Sequence, residues 1–176
     1  KACSMSELAG RIALVTGAAG PMGLAAARAL TDAGCAVALV DLPGERLDHA
    51  ASVCPRSVSF AADLTVLDAL PTVVDKIQDQ LGAVDVLVNN AGVLSNAKFL
   101  ATDEAEWRRV LSINLDAAFF LARAVIPSMQ SRRWGRIINT TSLAAKTGGL
   151  TAGTAYVVSK GAMSALTFSL ARELAG

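Results

Sequence analysis

The chain has 176 residues, which at roughly 150 residues per domain corresponds to one domain. Hydrophobic residues make up 53% and charged residues 18%, a composition that excludes a disordered chain. The formal net charge is +1 and aromatic residues are 5%, so no basic or base-stacking surface for nucleic acid is indicated. No unbroken apolar stretch reaches the roughly 18 residues of a membrane span. The three cysteines lack CxxC spacing, so we expect no metal site, no disulfide framework and a cytoplasmic protein.

Short apolar runs alternate along the chain with longer segments of helical pattern. The runs predict strands at Ile12–Thr16, Ala36–Val40, Ser57–Ala61, Val84–Val88 and Arg136–Thr140. The segments between and after them predict helices at Pro21–Ala33, Glu45–Val53, Val66–Leu81, Asp103–Gln130 and about Ala155–Leu174. This alternation predicts an α/β fold of one domain, a doubly wound parallel sheet of Rossmann type with helices on both faces and strand order 3-2-1-4-5.

Glycine or small polar residues follow all five predicted strands, at the edge where such sheets bind ligands. They are Gly17–Gly23, Asp41, Asp63, Asn89–Gly92 and Thr141–Ser142. Ordinary turn chemistry explains any one of these segments. Their presence at every strand end indicates a ligand site.

The first of these loops is rich in glycine and leads into a helix, where backbone N–H groups can bind a pyrophosphate. Asp41 comes 18 residues after Gly23, at the end of the second strand, where a carboxylate can accept both ribose hydroxyls of an adenosine. The same carboxylate would repel a 2′-phosphate. No Arg or Lys stands at positions 18–20, 42 or 43, so the pattern favours NAD over NADP.

Tyr156 and Lys160 are four residues apart in a predicted helix and therefore share a face. A nearby ammonium favours a phenolate, so such a tyrosine can exchange a proton with an alcohol or ketone oxygen. Ser142, at a strand end, could donate a hydrogen bond to that oxygen. The simple alternative is an exposed helix pair, because this spacing is common by chance.

Asn114 falls on an apolar helical stripe with Trp107, Leu111, Ala118 and Val125. A buried amide needs hydrogen-bond partners. Spacing alone leaves two interpretations open: a satisfied bond between helices, or a buried polar relay to the active site.

In combination, these residues resemble the short-chain dehydrogenase/reductase family in its ordinary, non-epimerase branch. The resemblance runs from Gly10 to Gly176. Its motifs are Thr16–Gly23, Asp63, Asn89–Gly92, Asn114, Ser142 and Tyr156–Lys160.

The resemblance implies catalytic roles for Asn114, Ser142, Tyr156 and Lys160. Tyr156 would be the general acid/base, and Lys160 would favour its phenolate and hold the nicotinamide ribose. Ser142 would orient the substrate oxygen. Asn114 would hold a water in a proton relay to Lys160.

The resemblance also implies a nicotinamide cofactor, with Asp63 against its adenine and Asn90 supporting the central strand. The expected cofactor-binding residues are Gly17, Gly20, Met22, Gly23, Asp41, Leu42, Asp63, Leu64, Asn90, Ala91, Gly92, Tyr156 and Lys160. The expected activity is NAD-dependent hydride transfer with a small secondary alcohol or ketone. Two alternatives remain: an NADPH-dependent 3-oxoacyl thioester reductase, and a non-catalytic dinucleotide-binding or scaffold protein.

Family members commonly form dimers or tetramers through the two long helices. We therefore expect a homodimer or homotetramer, with close packing at Ala155, Ser159, Ala162 and Ala165. Substrate selectivity would come from residues 143–154 and from a substrate lid.

Two departures from the family pattern stand out. Pro21 occupies a position where the family has glycine, which removes one N–H and crowds the cofactor's approach, so we expect weakened but surviving binding. The chain also ends 16 residues after Lys160, so we expect it to lack the family's C-terminal strands and lid.

Overall fold

Five parallel strands form one sheet in the computed structural model, which describes residues 7–175. Their order across the sheet is β3-β2-β1-β4-β5, as the sequence predicted. The strands are β1 (Ile12–Thr16), β2 (Ala36–Asp41), β3 (Ser57–Ala61), β4 (Val86–Asn89) and β5 (Arg136–Asn139). Both ends of β1 and β3 match the prediction, and the other strands differ by one or two residues at an end, which is the usual uncertainty of boundaries.

Within residues 7–175, seven α-helices connect or follow these strands. They are α1 (Pro21–Asp32), α2 (Glu45–Val53), α3 (Leu70–Leu81), α4 (Glu104–Leu111), α5 (Ala117–Ser131), α6 (Ala144–Thr147) and α7 (Thr154–Leu174). The predicted helix over 66–81 is a 3₁₀ turn, Leu67–Ala69, followed by α3. Pro71 lies in the first turn of α3, where its missing N–H costs no helical hydrogen bond.

Hydrophobic cores lie on both faces of the sheet, because alternate residues of each inner strand point to opposite sides. Leu14 of β1 faces a core built with α3 and α5, whereas its neighbours Ala13 and Val15 face a core built with α1 and α2. β4 and all but the first residue of β1 are buried, as expected for strands covered on both faces. The edge strands β3 and β5 are partly exposed.

The long predicted helix over 103–130 is one continuous 28-residue run, Glu104–Ser131, interrupted by a π-helical segment, Ser112–Asp116. Asp103 caps it by accepting a hydrogen bond from the backbone N–H of Glu106 at 2.8 Å. Its most apolar stretch has a mean hydropathy of 1.5, so by length and composition the run could cross a membrane. In this fold, one face of the run packs in the core against α3 and the sheet, through Ala117, Leu121, Ala122, Val125 and Met129, whereas Phe119 is exposed.

Helix α7 packs against α4, the π-helical segment and β5. Ala155 and Ser159 of α7 are fully buried inside the chain itself. The expectation that these two residues form a surface for another subunit is therefore wrong. They face inward because α7 must pack closely on the helix that carries Asn114.

Candidate active site

A glycine loop connects β1 to α1. Gly17 has a φ of +65°, and a Cβ there would lie 2.9 Å from the Cα of Ala91. A Cβ at Gly23 would lie 2.1 Å from the carbonyl oxygen of Gly17. Both positions therefore require glycine. Helix α1 begins at Pro21, and its N-cap is Gly20, which makes no side-chain capping bond. The N–H groups of the first turn are thus directed at the space in front of the loop.

Asp41 ends β2 and ties that strand to the glycine loop. Its Oδ2 accepts a hydrogen bond from the N–H of Ala19 at 2.8 Å, and its Oδ1 accepts one from the N–H of Leu42 at 2.8 Å. Arg46 donates to the carbonyl oxygen of Ala19 at 3.1 Å. Both backbone polar groups of Ala19, its N–H and its carbonyl oxygen, are therefore hydrogen-bonded. A carboxylate has about four acceptor positions, so Asp41 retains capacity for a ligand's hydroxyls.

Asn90 and Thr16 join the ends of β4 and β1. The Asn90 side-chain amide donates to the carbonyl oxygens of Thr16 at 3.0 Å and Gly17 at 3.3 Å. The Thr16 hydroxyl accepts from the N–H groups of Asn90 and Ala91, each at 3.0 Å, and donates to the carbonyl of Val88. These bonds set the glycine loop against the Asn-Asn-Ala-Gly segment, in agreement with a supporting role for Asn90.

An open cleft of about 780 Å³ lies in front of these loops. Every predicted cofactor-binding residue lines it except Tyr156 and Lys160. The side chains of Met22 and Leu42 are exposed there. At one end, Asp63 accepts hydrogen bonds from the N–H and the hydroxyl of Thr65 at 2.9 and 2.7 Å, and these bonds lower the pKa of its carboxyl group. The Asp63 side chain therefore carries a charge beside the cleft at neutral pH.

Lys160 lies beyond the other end of the cleft. Its side chain is buried, which lowers the pKa of its amine. Its Nζ donates to the carbonyl oxygen of Thr140 at 2.7 Å and lies 6.0 Å from the centre of the Tyr156 ring. A Cβ on Gly92, which lines the cleft, would lie 3.4 Å from this Nζ. The amine is therefore adjacent to the cleft, and Tyr156 lies one helical turn before it.

Asn114 lies in the π-helical segment and is completely buried. Its Oδ1 accepts from the N–H of Val93 at 2.7 Å. Its Nδ2 donates to the carbonyl of Val93 at 3.1 Å and to the hydroxyl of Ser159 at 3.0 Å. The side chain thus forms a satisfied hydrogen bond between helices, which is one of the two interpretations that its spacing left open. It lies beside Gly92 and Lys160. The water relay implied by the resemblance stays a prediction.

Ser142 follows β5 and is half-buried. Its Oγ accepts a hydrogen bond from the N–H of Ala144 at 3.2 Å, at the start of the short helix α6. Its hydroxyl hydrogen remains available to another acceptor. Tyr156, at the start of α7, is also half-buried.

Several residues that line the cleft escaped the sequence analysis, among them Arg46, Val93 and Ile113. Arg46 lies in the first turn of α2, where a charged residue is typical of any exposed helix. Val93 and Ile113 are apolar and carry no chemical signal. Thr140 was missed because it acts through its backbone carbonyl, which every residue has.

Comparison with known proteins agrees with this geometry. A family model described as short chain dehydrogenase matches residues 11–176. Nodulation protein G of Rhizobium sp. strain N33 is 42% identical over 172 residues, covering 97% of this chain and 70% of that protein. A 3-oxoacyl acyl-carrier-protein reductase of Thermotoga maritima is 34% identical over 174 residues, with coverage of 97% and 70%.

A crystal structure of NAD⁺-bound xylitol dehydrogenase superposes with a TM-score of 0.89 at 38% identity, covering 96% of this chain and 66% of that one. The chain belongs to the short-chain dehydrogenase family. It spans about two thirds of the length of the relatives it matches. The family and its dehydrogenases indicate an oxidoreductase that acts on CH–OH groups and uses a nicotinamide cofactor.

The residues present fit such a cofactor. Gly17 and Gly23 let the loop pack closely against Ala91 and against itself, and the loop and the start of α1 line the cleft, where backbone N–H groups can bind a diphosphate. Asp41 offers carboxylate oxygens to ribose hydroxyls at the side of the cleft. Lys160 supplies a buried donor next to Gly92, at the end of the cleft away from Asp63.

Proposed function

We propose that this chain is an NAD-dependent dehydrogenase that interconverts a secondary alcohol and its ketone, with Tyr156 as the general acid/base. The observation that supports it most is the position of the Lys160 amine. This amine is buried one helical turn from Tyr156 and next to Gly92, at the end of a glycine-lined cleft. Such an arrangement sets a proton-transferring group beside a nucleotide site.

Each side chain then has a chemical role in alcohol oxidation. The ionised Tyr156 oxygen takes the proton of the substrate hydroxyl, and the Lys160 ammonium stabilises that ionised form. The Ser142 hydroxyl donates a hydrogen bond to the substrate oxygen and holds it near Tyr156. The bound nicotinamide supplies the acceptor for the hydride that leaves the carbinol carbon. In ketone reduction, Tyr156 returns the proton to the oxygen.

Asp41 supports NAD as the cofactor. Its carboxylate would repel a 2′-phosphate, and it is already oriented by the N–H groups of Ala19 and Leu42. The second candidate is reduction of 3-oxoacyl thioesters, which the similarity to the Thermotoga maritima reductase favours. Comparing turnover of secondary alcohols with NAD and of a 3-oxoacyl thioester with NADPH separates the two.

Replacing Tyr156 with phenylalanine tests the mechanism. We expect Tyr156→Phe to lower kcat by about 100-fold or more while the protein still binds NAD, because the proton-transferring oxygen is lost and the other expected cofactor-binding residues remain. Ser142→Ala should lower kcat as well, whereas Ser169→Ala, on the exposed part of α7, should behave as the wild type. A Tyr156→Phe protein with full turnover would rule out this mechanism. A wild-type protein that binds NAD but turns over no alcohol in a broad panel would favour the non-catalytic alternative.

Self-association through the long helices belongs to the same proposal, together with a cytoplasmic location. The side chains of Phe119 on α5, and of Val158 and Phe168 on α7, are exposed and apolar. A homodimer or homotetramer would bury them. Light scattering of the wild type and of Phe168→Asp tests this, with a smaller particle expected for the variant.

A further inference from the structure

Lys98 makes three hydrogen bonds to one loop. Its Nζ donates to the carbonyl oxygens of Ala152 at 2.8 Å, Leu150 at 3.2 Å and Gly149 at 3.3 Å. An ammonium has three N–H donors, so these acceptors use all of them. The loop is residues 148–153, hereafter the α6–α7 loop, and it lies between Ser142 and Tyr156 in the chain.

Backbone bonds join the same two segments. The N–H of Gly153 donates to the carbonyl of Ser95 at 2.6 Å, and the N–H of Thr154 donates to that of Ala97 at 3.0 Å. A Cβ on Gly153 would lie 2.3 Å from the Ala97 carbonyl oxygen, so the two backbones approach as closely as they can. Lys98 therefore completes an attachment of the α6–α7 loop to the segment that follows Gly92.

The loop carries an exposed apolar side chain. Leu150, within the loop, is 91% exposed, and Leu143, just before α6, is 74% exposed. Gly148 and Gly149 both have a φ of +73°, a backbone conformation that glycine adopts readily and in which other residues are strained. Glycine is compatible with many backbone conformations, so hydrogen bonds from outside the loop help to determine which one the chain at Leu150 adopts. Lys98 holds the Leu150 carbonyl directly.

We propose that Lys98 is a positioning residue that fixes the α6–α7 loop, which lies between Ser142 and Tyr156 in the chain, and thereby affects binding of the substrate. This inference rests on the proposed dehydrogenase function. Lys98 touches neither the glycine loop nor Lys160 in this structure, so its effect falls on substrate binding and leaves the nucleotide site alone.

Hydrogen exchange and steady-state kinetics of the full chain test the proposal with three variants. In Lys98→Met the ammonium is lost while the aliphatic stem is retained. Lys98→Arg keeps donors that can reach carbonyl oxygens. Lys76→Met makes the same change at an exposed position on α3 and serves as the matched control. The exchange of the Gly153 and Thr154 amides reports on the attachment, and KM against kcat with NAD and a secondary alcohol reports on the substrate site.

For Lys98→Met, we expect amide exchange at Gly153 and Thr154 to be about tenfold faster and KM for the alcohol to rise about tenfold, since charge-assisted hydrogen bonds are lost. The change in kcat and in the NAD dissociation constant should stay within about twofold. In Lys98→Arg, amide exchange and KM should both lie close to the wild-type values. Unchanged exchange in Lys98→Met overturns the attachment. Faster exchange with an unchanged KM overturns the role in substrate binding. An inactive wild-type protein would instead reject the proposed function, and exchange would still decide whether Lys98 holds the loop.

Discussion

The side-chain nitrogen of Asn114 donates a hydrogen bond to the hydroxyl of Ser159 at 3.0 Å. Ser159 in turn donates to the carbonyl of Tyr156 at 2.7 Å and directly precedes Lys160. The same nitrogen also donates to the carbonyl oxygen of Val93, and the Asn114 Oδ1 accepts from the N–H of Val93, next to Gly92. One buried amide therefore links the end of the cleft to the turn of α7 that carries the proposed catalytic groups.

Replacing Asn114 should therefore lower the stability of the fold. Asn114→Ala leaves the backbone groups of Val93 unpaired, and we expect it to lower the free energy of unfolding by about 3 kcal/mol. Ser159→Ala removes the contact to α7 but keeps the two bonds to Val93, so it should cost about 1 kcal/mol. Urea unfolding monitored by circular dichroism measures the free energy of unfolding of both variants. Equal losses for the two variants would contradict the importance of the Val93 contacts.

Asp41 should decide between NAD and NADP. Asp41→Asn removes the negative charge that opposes a 2′-phosphate, so we expect the ratio of NAD to NADP affinity to fall by about tenfold or more. Asp75→Asn, on the exposed side of α3, changes the net charge equally and should leave the ratio unaltered. Calorimetric titration with both nucleotides gives the ratio. A ratio that stays constant in Asp41→Asn would argue that another residue selects between NAD and NADP. Arg46 would then be the first candidate, because it is the nearest cation in the cleft.

Pro21 should weaken cofactor binding, because it removes an N–H from the first turn of α1. Pro21→Ala restores the N–H, and a hydrogen bond of about 1 kcal/mol corresponds to roughly fivefold tighter NAD binding. Pro21→Gly restores the N–H and also removes the bulk of the ring. If the proline ring crowds the cofactor, the Pro21→Gly variant should bind NAD more tightly than the Pro21→Ala variant does. Unchanged affinity in both variants would show that Pro21 has no influence on binding.

Gly23 and Gly161 should respond in opposite ways to alanine. A Cβ at Gly23 would overlap the backbone of Gly17, so Gly23→Ala should lower the free energy of unfolding by about 3 kcal/mol. A Cβ at Gly161 in α7 meets nothing within 4 Å, so Gly161→Ala should raise it by about 1 kcal/mol. Denaturant titration compares the two. A stable Gly23→Ala protein would mean that the glycine loop can rearrange.

Lys160 should make stability depend on alkaline pH. Burial lowers its pKa from the ordinary 10.5, so the unfolded chain binds more protons than the folded one between the lowered pKa and 10.5. The free energy of unfolding contributed by this group therefore rises with pH across that window. Lys160→Met lacks the effect, so the stability of the wild type relative to this variant should increase on going from neutral to alkaline pH. A constant difference would mean that the amine is not desolvated.

The sequence predicted the strands, their order and most of the residues around the cleft. β1 lies between Arg11 and the glycine loop that begins at Gly17, and β3 begins after Pro55 and Arg56 and ends shortly before Asp63, so the ends of both strands could be predicted. The π-helical segment was missed, because it is stabilised by partners of Asn114 that lie 21 and 45 residues away along the chain. Helix α6 was missed because four residues are too few to show a helical period.

What the sequence determined by itself was local: the alternation of strands and helices, the glycine loop and the spacing of Tyr156 and Lys160. Each of these is a pattern within a few residues, and hydrogen bonding and burial give such patterns one favourable structure. The tertiary structure alone decided that Gly92 meets Lys160 and that Lys98 reaches the carbonyls of the α6–α7 loop, more than 50 residues away. Contacts of this kind depend on how the helices pack on the sheet, and they leave no periodic signal in the chain.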